Sequence, residues 1–171
     1  MLSDKMAQAF NQQINAELYS SYLYMAMASW FEDKQMPGSA HWMKTQVQEE
    51  MTHALKFYGF VNERGRRVLM EAIAGPPNEW ASPLAVFQAV LEHEQKVTGL
   101  INGLMDLAVT EKDHASQSFL KWFIDEQVEE EASVNEILGK LKMVDQAPGG
   151  IYMLDKELAA RTFTMPVWLT I

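Results

Sequence analysis

Cysteine is absent from the 171 residues. That excludes disulfides, thiolate zinc sites and iron–sulfur clusters together, and leaves oxygen and nitrogen donors for any metal. Basic residues are scarce: 14 Lys and Arg stand against 23 Asp and Glu, a formal net charge of −9. The balance argues against nucleic acid and anionic membrane as partners and favours cations. No uncharged stretch approaches the roughly 18 residues of a membrane span, and residues 1–5 lack the basic start and apolar run of a signal peptide. A soluble, cytoplasmic protein is expected. Solenoid-length repeats and low-complexity segments are missing too.

What the chain does have is apolar content of 48%, enough for one core and too little length for two. Capping residues Ser3 and Asp4 precede Met6, Phe10, Ile14, Leu18, Tyr22 and Met25, a helical spacing that predicts a first helix over about 4–34. Residues 35–38, with Pro37 and Gly38, make a short turn, and a second, antiparallel helix follows to about 65. Residues 66–81 carry consecutive prolines and no sustained period. Extended, they cover about 50 Å, enough to return along a whole bundle. Ser82 followed by Pro83 starts a third helix to about 109; after a reversal at 110–113 a fourth runs to about 142. A short fifth helix is predicted over about 151–162. Short, long and short links define an all-α four-helix bundle with one long crossover.

The informative stretch is Gln48-Glu49-Glu50-Met51-Thr52-His53-Ala54, where a carboxylate and an imidazole three residues apart share a helix face that should be apolar. Such a pair is solvated or held by a partner, and a metal ion is the usual partner. Register supplies the other ligands. Glu50 is 12 residues past Gly38 (50 − 38) and Glu94 is 12 past Ser82 (94 − 82), so parallel second and third helices put both about 18 Å from one end. Glu17, Gln127 and Glu130, counted back from their helix ends, fall within about a turn of that layer. Four carboxylates carry −4 and two divalent cations +4, which makes a dinuclear site the natural neutraliser. Oxygen donors with one imidazole suit iron better than zinc.

The stretches Asn15-Ala16-Glu17-Leu18-Tyr19-Ser20-Ser21, Gln48 to His53, Phe119-Leu120-Lys121-Trp122-Phe123 and Glu126-Gln127-Val128-Glu129-Glu130-Glu131 resemble those of the bacterial non-haem ferritins, as does the segment 150–158. The resemblance reaches to about residue 160. It implies a ferritin-like di-iron domain over 1–162, followed by an apolar tail over 163–171. By it, Glu17, Glu50, His53, Glu94 and Glu130 bind the two irons of a ferroxidase centre, with Gln127 a close polar group of the same set. Glu49, Glu126 and Glu129 match the family's third iron site, and Tyr24 its tyrosine beside the centre. Tyr24 also lies seven residues after Glu17, two turns along the same face. The implied activity is oxidation of Fe2+ by O2 or H2O2, with Fe3+ mineral stored in a shell of 24 copies of octahedral symmetry.

Two features, the fourth-helix motif and the apolar tail, depart from relatives of that fold. The fourth helix offers Gln127-x-x-Glu130 where symmetric di-iron proteins carry a second Glu-x-x-His, so the two irons should differ in affinity. Met51 sits where a haem-ligating methionine stands in bacterioferritin; the non-haem pattern Glu-Glu-Met-Thr-His argues against haem, and the twelve methionines read as core filler. The alternatives are a haem-binding, bacterioferritin-like protein or a di-iron oxidase or peroxidase that stores nothing. Trp122 is expected to pack in the core. His41, His93 and His114 are read as surface or capping residues, and the tail, running from Arg161 through Trp168 to Ile171, as a patch covered by a neighbour or facing the inside of a shell.

Overall fold

Two serines begin helices where their positions promise. Ser3 Oγ accepts from Met6 N at 3.2 Å to open α1 (Asp4–Asp33), and Ser82 Oγ accepts from Ala85 N at 3.1 Å to open α3 (Pro83–Thr110). Between them lies α2 (Pro37–Glu63); α4 (His114–Val144) and α5 (Gly150–Leu158) complete the computed structural model, which describes residues 1–144, 147 and 149–167. Asp113 caps α4, accepting from Ser116 N at 3.2 Å and Ser116 Oγ at 2.8 Å, while Arg64 at the end of α2 bonds both its carboxylate oxygens at 3.1 Å. That cap pulls the Asp113 carboxyl below its ordinary value, against the opposing effect of burial.

The two short links share one device. Gln35 and Lys112 adopt left-handed backbone, with φ of 56° and 54°, and Met36 N and Asp113 N bond back to Phe31 O and Ala108 O. The reversal before α2 therefore turns on Gln35, and Gly38, expected to serve the turn, has another task. The long link, residues 64–82, is pinned to α1: Asn11 Oδ1 accepts from Leu69 N at 3.1 Å, and Asn15 Nδ2 donates to Ala72 O at 3.1 Å.

The core comes in two blocks. One contains Phe10, Ile14, Phe57, Val97, Ile101, Leu120 and Phe123; the other contains Met27, Phe31, Trp42, Met43, Phe87, Val90, Val134 and Leu138, with Leu154 and Leu158 of α5 closing its end. On α1 and α4 the order along the chain is first block then second, and on α2 and α3 it is the reverse. The crossover thus makes α2 and α3 parallel, as the register argument requires. Between the blocks, every one of the four long helices carries buried polar positions.

Two expectations are corrected. The stripe Ile14, Leu18, Tyr22, Met25 does not continue inward: the two steps of four from Ile14 to Tyr22 already gain about 80° of rotation on a 3.6-residue helix, while the buried face drifts the other way. The buried face instead passes through Glu17, Ser21, Tyr24, Met27 and Phe31, leaving Tyr22 and Met25 half exposed. The fifth helix ends at Leu158, not near 162. Arg161 ends its run because it turns onto α2, its guanidinium 4.2 Å from the Trp42 ring centroid. Of the tail, Trp168, Leu169, Thr170 and Ile171 lie outside the described residues, as does Pro148 of the link before α5.

Asp155 of α5 caps the start of α2, accepting from Gly38 N at 3.0 Å, Ser39 N at 2.7 Å and Ser39 Oγ at 2.8 Å. A Cβ at position 38 would stand 1.6 Å from Asp155 O, so only glycine permits the approach. Asp155→Ala should lower thermal or urea stability by about 1–2 kcal/mol, the usual worth of a lost cap. Gly38→Ala should go further and detach α5, read as faster proteolysis between α4 and α5.

Candidate metal centre

Each long helix brings its polar residue to the gap between the two apolar blocks by ordinary helical phase. Glu17, Glu50, His53, Glu94, Gln127 and Glu130 are all buried there, Glu17 and Glu94 at 1% exposure. Ligand atoms of Glu17, Glu50 and His53 lie within 4.8 Å of one another, and His53 Nδ1 is 3.6 Å from Glu50 Oε2. Tyr24, fully buried two turns beyond Glu17, donates its phenol O–H to Glu94 Oε1, and Gln127 Nε2 lies 3.2 Å from Glu94 Oε2.

Electrostatics identifies the layer as strained without cations. Burial, with the Glu50 charge next in weight, pushes the Glu17 carboxyl up to about 8. Burial and the Glu94 charge push Glu130 up to about 7, and burial with Glu94 and Glu130 raises Glu50 well above the carboxylate range. Glu94 is raised by burial despite the opposing hydrogen bonds from Tyr24 and Gln127, and burial beside Glu94 raises the Tyr24 phenol further still. Glu17 Oε2 finds no hydrogen-bond donor among the described residues. Two ionised carboxylates can only accept, so Glu17 and Glu50 coexist by sharing a proton or by binding a cation. Four carboxylates and one imidazole, one oxygen still lacking a partner, are a donor set that fits hard or borderline divalent ions such as Fe2+.

Glutamines missed in the sequence support the acids. Gln13 Nε2 donates to Glu17 Oε1 at 2.8 Å, and Gln46 Nε2 donates to Glu50 Oε1 at 3.2 Å and to Glu130 Oε2 at 2.8 Å. Their signal was legible: a Gln one turn before a buried Glu, repeated as Gln13-x3-Glu17 and Gln46-x3-Glu50. His93 is the clear correction. It is no surface residue but packs against the Tyr19 and Tyr24 rings, with Nε2 2.7 Å from Ser20 Oγ. Ser20 gives its own proton to Ala16 O, so His93 donates from Nε2. Burial, helped by the Lys96 charge, lowers its pKa to about 4, keeping the ring neutral. A 3.6 period carries no hint that the residue before a buried Glu will be covered by the neighbouring helix. His41 is exposed and meets Arg161 O at 2.8 Å, and His114 is the exposed first residue of α4.

Glu49, Glu126 and Glu129 border a second space of about 250 Å³ beside the layer, together with His53, Trp122 and Glu130. Burial raises the carboxyls of Glu49 and Glu126. Arg161 pairs with Glu49 from the tail, and Phe163, Thr164 and Pro166 close the far wall. Trp122 is half-buried rather than in the core, edge-on to His53 with ring centroids 5.5 Å apart and Lys56 Nζ 3.9 Å from its own centroid. The shifts set a sign for pH. A carboxyl whose folded pKa is raised binds its proton more tightly in the native state, so metal-free stability is highest below the ordinary carboxylate value and falls as pH climbs through 7 and 8. Metal-free protein should therefore melt at lower temperature at pH 8 than at pH 5.5, and a divalent cation should remove most of that difference; a flat profile would contradict the assignment.

Comparison with known proteins agrees with this architecture. A ferritin-like domain model matches residues 7–144. The bacterial non-heme ferritin of Bacteroides fragilis is 44% identical over 161 residues, covering 94% of this chain and all of that one, and its counterpart in Staphylococcus saprophyticus is 41% identical over 163 residues, covering 95% and 98%. Among solved structures, an open pore ferritin from the hyperthermophilic archaeon Archaeoglobus fulgidus superposes with a TM-score of 0.93 at 49% identity, covering 95% of this chain and 99% of that one. A humanized archaeal ferritin gives 0.95 at 48%, covering 96% and 100%. The chain belongs to the ferritin family.

Proposed function

We propose that Glu17, Glu50, His53, Glu94 and Glu130 form the ferroxidase centre of an iron-storage protein. Fe2+ is the substrate: two ions enter the layer, each gives one electron to O2 or H2O2, and Fe3+ leaves to hydrolyse and mineralise. The observation that carries this reading is the burial of four carboxylates in one layer, whose pKa values are raised by that burial and by one another's charge. Incoming cations displace the protons those carboxyls hold, and the site reaches neutrality at four negative and two doubly positive charges. Glu50 and His53, adjacent on α2, are suited to serve neighbouring ions. Tyr24 holds Glu94 in place and is the nearest oxidisable ring to it.

Glu49, Glu126 and Glu129 are the proposed third position, a stopping place beside the centre, supported by their common cavity with His53 and Glu130. Storage requires a container, and we read the chain as one of 24 copies in an octahedral shell. Support comes from large apolar side chains left uncovered on the bundle, among them Tyr22 and Met25 of α1, Met51 and Tyr58 of α2, and Leu69 and Met70 of the crossover, each more than two-fifths exposed. The apolar tail over 163–171 is read as a segment covered in that assembly. Among the described residues no helix is long and apolar enough to cross a membrane, and the protein is proposed to act in the cytoplasm.

Glu50→Ala and His53→Ala should each slow stopped-flow Fe2+ oxidation by at least ~100-fold, beyond the roughly 10–100-fold typical of changes outside the ligand set, while leaving particle mass unchanged. Unaltered rates in both would place the reaction elsewhere. Light scattering before and after aerobic iron loading should give one large particle that gains mass as mineral; a dimer that turns over Fe2+ without mineral would make the chain an oxidase instead of a store.

A further inference from the structure

Thr98 and Glu131 lie outside the set of side chains assigned to iron. They stand on the seam between α3 and α4, where with Gln127 they border a cavity of about 300 Å³. Thr98 Oγ1 is 2.6 Å from Glu131 Oε1, and a carboxylate can only accept, so the hydroxyl proton points to Glu131. A hydroxyl has one proton. Toward its other neighbour, the Gln127 amide 3.3 Å away, Thr98 can therefore offer only lone pairs. The amide vertex that meets Thr98 also lies 3.2 Å from Glu94 Oε2 and 3.2 Å from the Glu94 backbone oxygen. All three neighbours are acceptors, and only the NH2 end of the amide, its two protons shared among them, can donate; the carbonyl end would face three oxygens with no proton between.

We propose that Thr98 and Glu131 are positioning residues for the oxidation centre: they fix the sense of the Gln127 amide, so that it donates to Glu94 and withholds its carbonyl oxygen from iron. This rests on the ferroxidase reading above. The consequence falls on Glu94, whose carboxylate is gripped at Oε1 by the Tyr24 phenol and at Oε2 by Gln127, leaving its remaining lone pairs to face the layer. Iron then meets a carboxylate already oriented, and the protein donors reduce to four carboxylates and one imidazole, with coordination positions left for water and oxidant. Glu131 reaches Glu94 through three hydrogen bonds without touching it, in the order Glu131, Thr98, Gln127, Glu94.

Anaerobic titration of the assembled protein with Co2+ tests this, because the visible absorption of Co2+ reports coordination number and donor type. Thr98→Val keeps the shape and removes the acceptor. Glu131→Gln lets position 131 donate to Thr98, which turns the threonine proton toward Gln127 and favours the inverted amide. Both variants should shift the Co2+ absorption and change the affinity of one of the two positions by about tenfold, whereas Thr98→Ser should match the native protein. The shift from Thr98→Val should also vanish in a Gln127→Leu background, since both changes act through one amide. Native spectra and affinities in Thr98→Val and Glu131→Gln would overturn the positioning role, as would a Thr98→Val shift that persists without Gln127. Glu50→Ala separates this from failure of the ferroxidase reading: if the native Co2+ absorption survives Glu50→Ala unchanged, the centre itself is misplaced, and the proposal falls with it.

Discussion

Like charges brought together away from water govern this molecule. Four carboxyl groups sit in a slab with an aromatic-rich block on one side, built on Phe10, Phe57 and Phe123, and a block built on Phe31, Trp42 and Phe87 on the other. The blocks fold the chain, and the slab between them gives up hydrophobic burial at its most central level. An apolar slab of the same size would be more stable in the absence of metal. The arrangement makes sense as one that stores unfavourable electrostatics until cations arrive, and the upward shifts of Glu17, Glu50 and Glu130 are the measure of what is stored.

Around the acids, neutral donors do the holding. Gln13, Gln46, Gln127 and Tyr24 each donate a hydrogen bond to a carboxylate, which orients the acids while adding no fixed positive charge to the layer. Arginine in their place would neutralise the layer permanently. The one arginine nearby, Arg161, is kept outside it, on Glu49 and against the Trp42 ring. The division separates an inner layer of carboxyl groups held by neutral donors from an outer acidic space that the Arg161 guanidinium enters.

Much of this was open to reading because it follows from helical phase. Serine caps, the Pro83 start and the position of the crossover are local signals, and the equal depth of Glu50 and Glu94 needs only a residue count. What stayed hidden depended on neighbours from other helices. His93 is covered by Tyr19 and Tyr24 of α1, Asp155 is buried by docking on α2, and Thr98 matters because Gln127 and Glu131 arrive from α4. Tyr22 and Met25 misled for a different reason: steps of four from Ile14 through Leu18 carry the stripe away from the buried face, which passes through Glu17, Ser21 and Tyr24 instead. Their exposure is informative in turn, because large apolar side chains facing water, these two among them, are the feature on which the proposed self-association rests.

The contact between Gly38 and Asp155 ties two distant parts of the chain into a single sequence constraint. Any descendant that kept α5 on the bundle would be barred from a side chain at position 38, and one that shed the terminal helix would be released from that bar at once. Glycine at the head of α2 is therefore a fossil imprint of a partner more than a hundred residues downstream, and a chain of this kind bearing alanine there should be expected to carry its last helix somewhere else.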